Sequence, residues 1–197
     1  MTGIEVVTLV GVLVAAIGYV VKHASDLRLA QRNDRLNRLN RQLSEFYGPL
    51  LALTQSSEES WTAFRRRYRP GSGSFWSPDP PPTREDVLIW RLWMTTVFMP
   101  VDERITQLVI ERADLIEEHE MPPCLLAVCA HVHGYQAIIK EWETGEVSLL
   151  REDNLSLVNF PGQDLADYAT TRFARLKAEQ GRLLGSSTTS SRQSMSA

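Results

Sequence analysis

Two cysteines, Cys124 and Cys129, are too few for a disulfide framework. Five residues apart on one helix they would also point in different directions, so free thiols are expected. Basic excess is lacking too: 21 Lys and Arg stand against 24 Asp and Glu, for a formal net charge of −3. That balance does not recommend nucleic acid as a partner. Catalytic signatures are missing. The sequence contains no HExxH, no GxSxG, no Walker-type glycine loop and no GxGxxG fingerprint. The Glu-x-x-His spacing of di-iron bundles is absent as well. A hydrolase, kinase or dehydrogenase of familiar type is therefore disfavoured, and no cofactor or small-molecule substrate is identified. Finally, Met1 to Glu5 hold no Lys or Arg, so the charged start of a cleaved secretory signal is lacking.

What the chain does have begins at once. Residues 2–22, TGIEVVTLVGVLVAAIGYVVK, form an apolar run with Glu5 as its only charge before Lys22. As a helix the run is about 30 Å long, which matches a hydrocarbon core. Lys22, Arg28, Arg32, Arg35, Arg38 and Arg41 follow it against only Asp26 and Asp34. A Lys/Arg excess on one flank of a lone span marks the cytoplasmic side. The expectation is a single-pass anchor over residues 1–23, in contact with lipid through residues 2–22. It sits in a bacterial inner membrane, with the N-terminus outside and the rest cytoplasmic.

The fold expected behind the anchor is all-α: a helical bundle with a long, kinked first helix. Residues 24–69 carry Leu29, Leu36, Leu43 and Leu50 every seven residues, with Leu39, Phe46 and Leu53 between them. This 3-4 spacing makes a helix-packing seam. It serves either a parallel coiled coil between two chains or packing on the chain's own later helices. Gly48-Pro49 interrupts it, but the phase continues beyond, which favours a kink over a hairpin. Residues 70–83, PGSGSFWSPDPPPT, read as a loop. Its Phe75 and Trp76 would dock on a partner or on lipid, or fold back on the domain. Residues 84–184 form the bundle proper. Thr83 and Asp86 make a capping-box pattern, and the run Val87–Met99 is apolar nearly all round, as a helix buried on most sides would be. An acidic amphipathic helix is expected over residues 101–120, another over residues 123–144 and a last one over residues 163–184, with a disordered tail over residues 185–197.

Two constellations invite chemistry. Cys124, Cys129, His131 and His133 are good zinc ligand types. On one helix, however, the two histidines lie about 160° apart, so the four cannot converge and no metal is expected. Arg65, Arg66, Arg67 and Arg69, with Tyr68 among them, are a candidate anion contact for phosphate or anionic lipid. The alternative is pairing with the acidic segment 102–120.

LSEFYGPLLAL behind an N-terminal span, ERADLIEEHEMPPCLLAVCAHVHGYQAIIKEW, and NFPGQDLADYA together resemble bacterial single-pass, membrane-anchored helical proteins of unknown function. The resemblance spans residues 36–180 and implies the architecture without implying an activity. The function expected is a membrane-anchored, non-catalytic interaction or scaffold protein, with a protein partner or a second copy as possible binders. Leu36, Leu39, Leu43, Phe46, Leu50, Phe75 and Trp76 are the candidate interaction residues. The alternatives are a membrane-tethered enzyme using Cys129, His131 or His133, and a membrane-acting stress or phage-defence effector.

Overall fold

Proline decides how these helices join. A proline inside a helix lacks its N–H, and its ring collides with the carbonyl four residues back. The computed structural model, which describes residues 3–71 and 74–194 and, at side-chain level, residues 11, 16–71 and 74–185, shows the same solution twice. Helix α1 (Gly3–Arg41) is followed by a π-helical segment, Gln42–Tyr47, and then by α2 (Gly48–Tyr68) with Pro49 in its first turn. Helix α3 (Arg84–Trp93) is followed by π-helical Met94–Phe98 and then by α4 (Met99–Glu111) with Pro100 in its first turn. At each junction the residue before the proline donates five residues back, Gly48 to Leu43 O and Met99 to Met94 O. The wider turn lets helical backbone continue. Arg41, Tyr47 and Gly48 all stay in the right-handed helical region, so the chain does not reverse at Gly48-Pro49.

The π-turn also explains the glycine. A Cβ on Gly48 would stand 2.5 Å from Leu43 O, a backbone atom that cannot swing aside. Inside a helix, Gly→Ala ordinarily stabilises by about 0.5–1 kcal/mol. Here the sign should invert: Gly48→Ala is expected to lose roughly 1–3 kcal/mol, read as a lower urea midpoint at unchanged m. An unchanged or raised midpoint would reject this account of the turn.

The remaining helices are α5 (Pro123–Thr144) and α6 (Gly162–Ser194), with 3-10 turns at Ala113–Leu115 and Glu152–Asn154. Two compact units emerge: Arg41–Lys177, and the described residues before and after it. Within Arg41–Lys177, α4 packs on both α2 and α5, and an aromatic-rich core gathers Phe64, Phe75, Trp90, Phe98, Val132 and Tyr135. In the other unit Arg32 reaches Leu183 O, Arg35 Nε donates to Glu179 at 2.7 Å and Gln180 donates to Asn40 at 2.7 Å.

Several expectations change. The acidic helix stops at Glu111 instead of continuing to residue 120, since Arg112 leaves helical geometry and a 3-10 turn follows. In the run Val87–Met99, Val87, Trp90, Met94, Phe98 and Met99 are buried and Ile89, Trp93 and Val97 pack against the core, whereas Leu88 and Leu92 are exposed. The last helix does not end at Gly185 but runs to Ser194, because a lone glycine weakens a helix by only about 1 kcal/mol; residues 195–197 lie outside the described residues. Among the described residues no helix is long and apolar enough to cross a membrane. Most of the expected span, residues 2–10 and 12–15, lies outside the residues described at side-chain level.

Candidate binding cavity

Helices α2, α3 and α5, the π-turn Met94–Phe98 with the start of α4, the segment after Asn154 and the first turn of α6 line a cavity of about 420 Å³. That volume is in the range of small-molecule sites, roughly 300–1,000 Å³. Five aromatic side chains, Trp61, Trp90, Phe98, Tyr135 and Phe160, stand in its walls. Asp102 and His131 also line it, while the exposed side chains Glu58, Asn159 and Gln163 stand at its mouth. Among the described residues no Lys or Arg lines it.

Asp102 sits one turn into α4, on the face turned toward α5, and is 3 % exposed. Its Oδ1 has no hydrogen-bond partner, and its Oδ2 lies 3.9 Å from His131 Nε2, too far for a direct hydrogen bond. Burial, and then neighbouring Glu103, push this carboxyl from 3.8 up to about 7. His131 Nδ1 stands 2.7 Å from Val158 O. A carbonyl only accepts, so Nδ1 carries the proton and the neutral ring turns a lone pair at Nε2 toward Asp102. Burial lowers the His131 pKa, partly opposed by that hydrogen bond. At this edge of the cavity His131 Nε2 and, once ionised, both Asp102 oxygens are acceptors.

Asn154 holds the wall in place. Its backbone carbonyl accepts from Trp90 Nε1 at 3.0 Å and from the Tyr135 hydroxyl at 3.1 Å. Its side-chain oxygen accepts from Arg91 Nε at 2.9 Å, and its amide donates to Ser148 O and Leu150 O. Every polar group of this fully buried side chain is satisfied. Gly134 lets the same segment close on α5, because Ser156 Oγ occupies the place where a Cβ would project.

The residues singled out by the sequence are spread over the fold. Leu43, Phe46 and Leu50 are buried within Arg41–Lys177. In the other unit Leu39 is buried and Leu36 half-buried. Phe75 is fully buried, stacked on Trp90 and tilted against Phe64, and half-buried Trp76 meets Trp90 edge-on. These buried surfaces face the protein itself, so the loop 70–83 folds back on the domain. Arg69 is buried, donating to Pro80 O at 2.6 Å with Asp86 3.7 Å away. Arg66 and Arg67 are exposed, Arg65 is half-buried, and Arg65, Arg66 and Arg69 line a shallow surface cleft. The acidic segment turns elsewhere: Glu117 pairs with Arg175 and Glu118 with Arg172 of α6.

Cys124, Cys129, His131 and His133 do not converge, and among the described residues no group of three or more His, Cys, Asp or Glu is placed to hold a metal. His133 is exposed, and burial raises the thiol pKa of both cysteines, which keeps them protonated. Only His131 of this set reaches the cavity. Asp102, Tyr135 and Asn154 escaped sequence reading. The single signal for Asp102 was a carboxylate two residues past Pro100, at a position one turn ahead of the buried stripe Ile105–Leu108–Val109. No family model, curated protein or solved structure matches the chain.

Proposed function

We propose that this protein is a membrane-tethered, non-catalytic helical interaction module that binds through the Asp102 cavity. The observation that carries the reading is the cavity's make-up: aromatic walls around a buried carboxyl whose Oδ1 has no partner. Polar groups are rarely buried unsatisfied without a functional reason, and a perturbed titratable group in a cleft marks a functional site. Leu39, Leu43, Phe46, Leu50 and Phe75 are buried within the chain, while Leu29 is exposed, which moves most of the binding role to the cavity. Among the described residues no hydroxyl or thiol of the cavity is hydrogen-bonded to His131, so binding is favoured over the enzyme alternative.

The tether rests on the apolar run 2–22 and its basic flank. In the described part of that run Ile17, Tyr19, Val20 and Val21 are each more than half exposed, as lipid-facing side chains would be. In this reading the N-terminus lies outside a bacterial inner membrane and Arg41–Lys177 works in the cytosol. Alkaline carbonate extraction of native membranes should leave the full chain in the pellet, and a C-terminal alkaline phosphatase fusion should stay inactive. Release into the supernatant, or an active fusion, would overturn the placement. The binding role is tested by small-molecule thermal-shift screening of the full chain in nanodiscs. Ligands that raise the midpoint should lose that effect when Phe160→Ala opens the cavity wall.

A further inference from the structure

We propose that the cavity takes a protonated amine carried on an apolar or aromatic body. The inference rests on the reading of the cavity as a binding site and adds its ligand class. Three observations select it. First, the charged side chains lining the cavity are acidic, Asp102 within and Glu58 at the mouth, and no Lys or Arg is present to receive an anion. Second, the two titratable side chains that meet at the inner edge of the cavity, ionised Asp102 and neutral His131, present acceptors. Asp102 Oδ1 lacks a partner, and His131 spends its one N–H on Val158 O, leaving Nε2 as a lone pair 3.9 Å from Asp102 Oδ2. A ligand that brings N–H donors satisfies them, and a carboxylate or ketone does not. Third, Trp61, Trp90, Phe98 and Tyr135 supply π-faces that attract cations and apolar surface that receives the body of the ligand.

The geometry separates two kinds of organic cation. A quaternary ammonium would enjoy the aromatic walls but has no N–H for Asp102 Oδ1. A primary ammonium offers three donors and forms charge-assisted hydrogen bonds with a carboxylate. The amine should therefore rank above its trimethylated counterpart.

The test uses the full chain in phosphatidylcholine nanodiscs at about pH 8, where the carboxyl is ionised. Tryptophan fluorescence, to which Trp61 and Trp90 of the cavity contribute, reports titration with phenethylamine, phenethyltrimethylammonium, 2-phenylethanol and 3-phenylpropionate. Phenethylamine is expected to bind tightest, by roughly tenfold or more over the alcohol and the carboxylate. Asp102→Asn should abolish that preference while circular dichroism shows an intact helical fold. Should Asp102→Asn fail to fold, the ranking of the probes on the unaltered protein decides. Equal saturable binding of phenethylamine and 2-phenylethanol would overturn the amine assignment and leave the cavity a binding site. Tightest binding by 3-phenylpropionate would overturn it in the same way. No saturable binding by any probe at millimolar concentration would overturn both.

Discussion

Asp102→Asn is expected to gain stability relative to the unaltered protein as pH rises, by roughly 4 kcal/mol between about pH 4 and pH 8. The sign follows from proton counts. Unfolded, the Asp102 carboxyl titrates at its ordinary 3.8; folded, burial holds it at about 7. Below about pH 4 it is protonated in both states and contributes no pH dependence. Between the two values the folded chain keeps a proton that the unfolded chain has released, so stability falls as pH rises, by about 1.4 kcal/mol per pH unit. Above about pH 7 both states are ionised and the penalty is constant. Asparagine does not titrate and lacks this slope. His131 titrates in the opposite sense, because burial lowers its pKa, but it is present in both proteins and largely cancels in the difference. Urea unfolding of the two proteins across this range measures the difference directly. Parallel curves would show that Asp102 ionises as freely in the folded chain as in the unfolded one, and would reject the desolvated carboxyl on which the reading of the cavity rests.

Phe64→Ala is expected to cost roughly 3–5 kcal/mol, the range for truncating a buried aromatic ring. Phe64 is fully buried, and its ring is 5.2 Å from each of the rings of Tyr68, Phe75 and Trp93, 5.6 Å from Phe98 and 6.0 Å from Trp90. Few side chains link so many elements, since these neighbours come from α2, the loop 70–83, α3 and the π-turn before α4. Phe75 is held on the domain largely by this ring and Trp90. Limited proteolysis should therefore cut the variant within residues 70–83 faster than the unaltered chain, beyond any change in global stability. A loss under about 1 kcal/mol with unchanged cleavage would mean that the loop is held by other contacts, chiefly those of Arg69 to Pro80 O and Ser77 O.

Local signals transferred well to the fold. Thr83 and Asp86 form the reciprocal capping box that their spacing announced, and α5 spans Pro123–Thr144 as the prolines and Gly145 implied. Leu43, Phe46 and Leu50 share one buried face, as their period requires. The site was far less legible. Asp102 reads as one of many carboxylates, and what singles it out is the approach of α5, which carries His131 and Tyr135 from about thirty residues further on. Asn154 sits in a stretch without periodicity, and its role depends on Trp90 and Tyr135 meeting over its carbonyl. The two π-turns were hidden as well. A proline predicts that a helix is disturbed, but whether it breaks, reverses or widens depends on which alternative keeps Phe46, Tyr47 and Leu50, or Met94 and Phe98, in the core.

By itself the sequence determined that the protein is helical and where most of its helices begin. Each of these follows from interactions within a few residues: periodicity, caps, proline and glycine. Only the tertiary structure decided that Leu43, Phe46 and Leu50 pack within the chain, that Phe75 turns inward, and that a carboxyl and an imidazole lie 3.9 Å apart at the edge of an aromatic-lined cavity. Burial is the physical reason. Desolvation turns an ordinary aspartate into a group that titrates at about 7, and desolvation is supplied by partners that are distant in the chain.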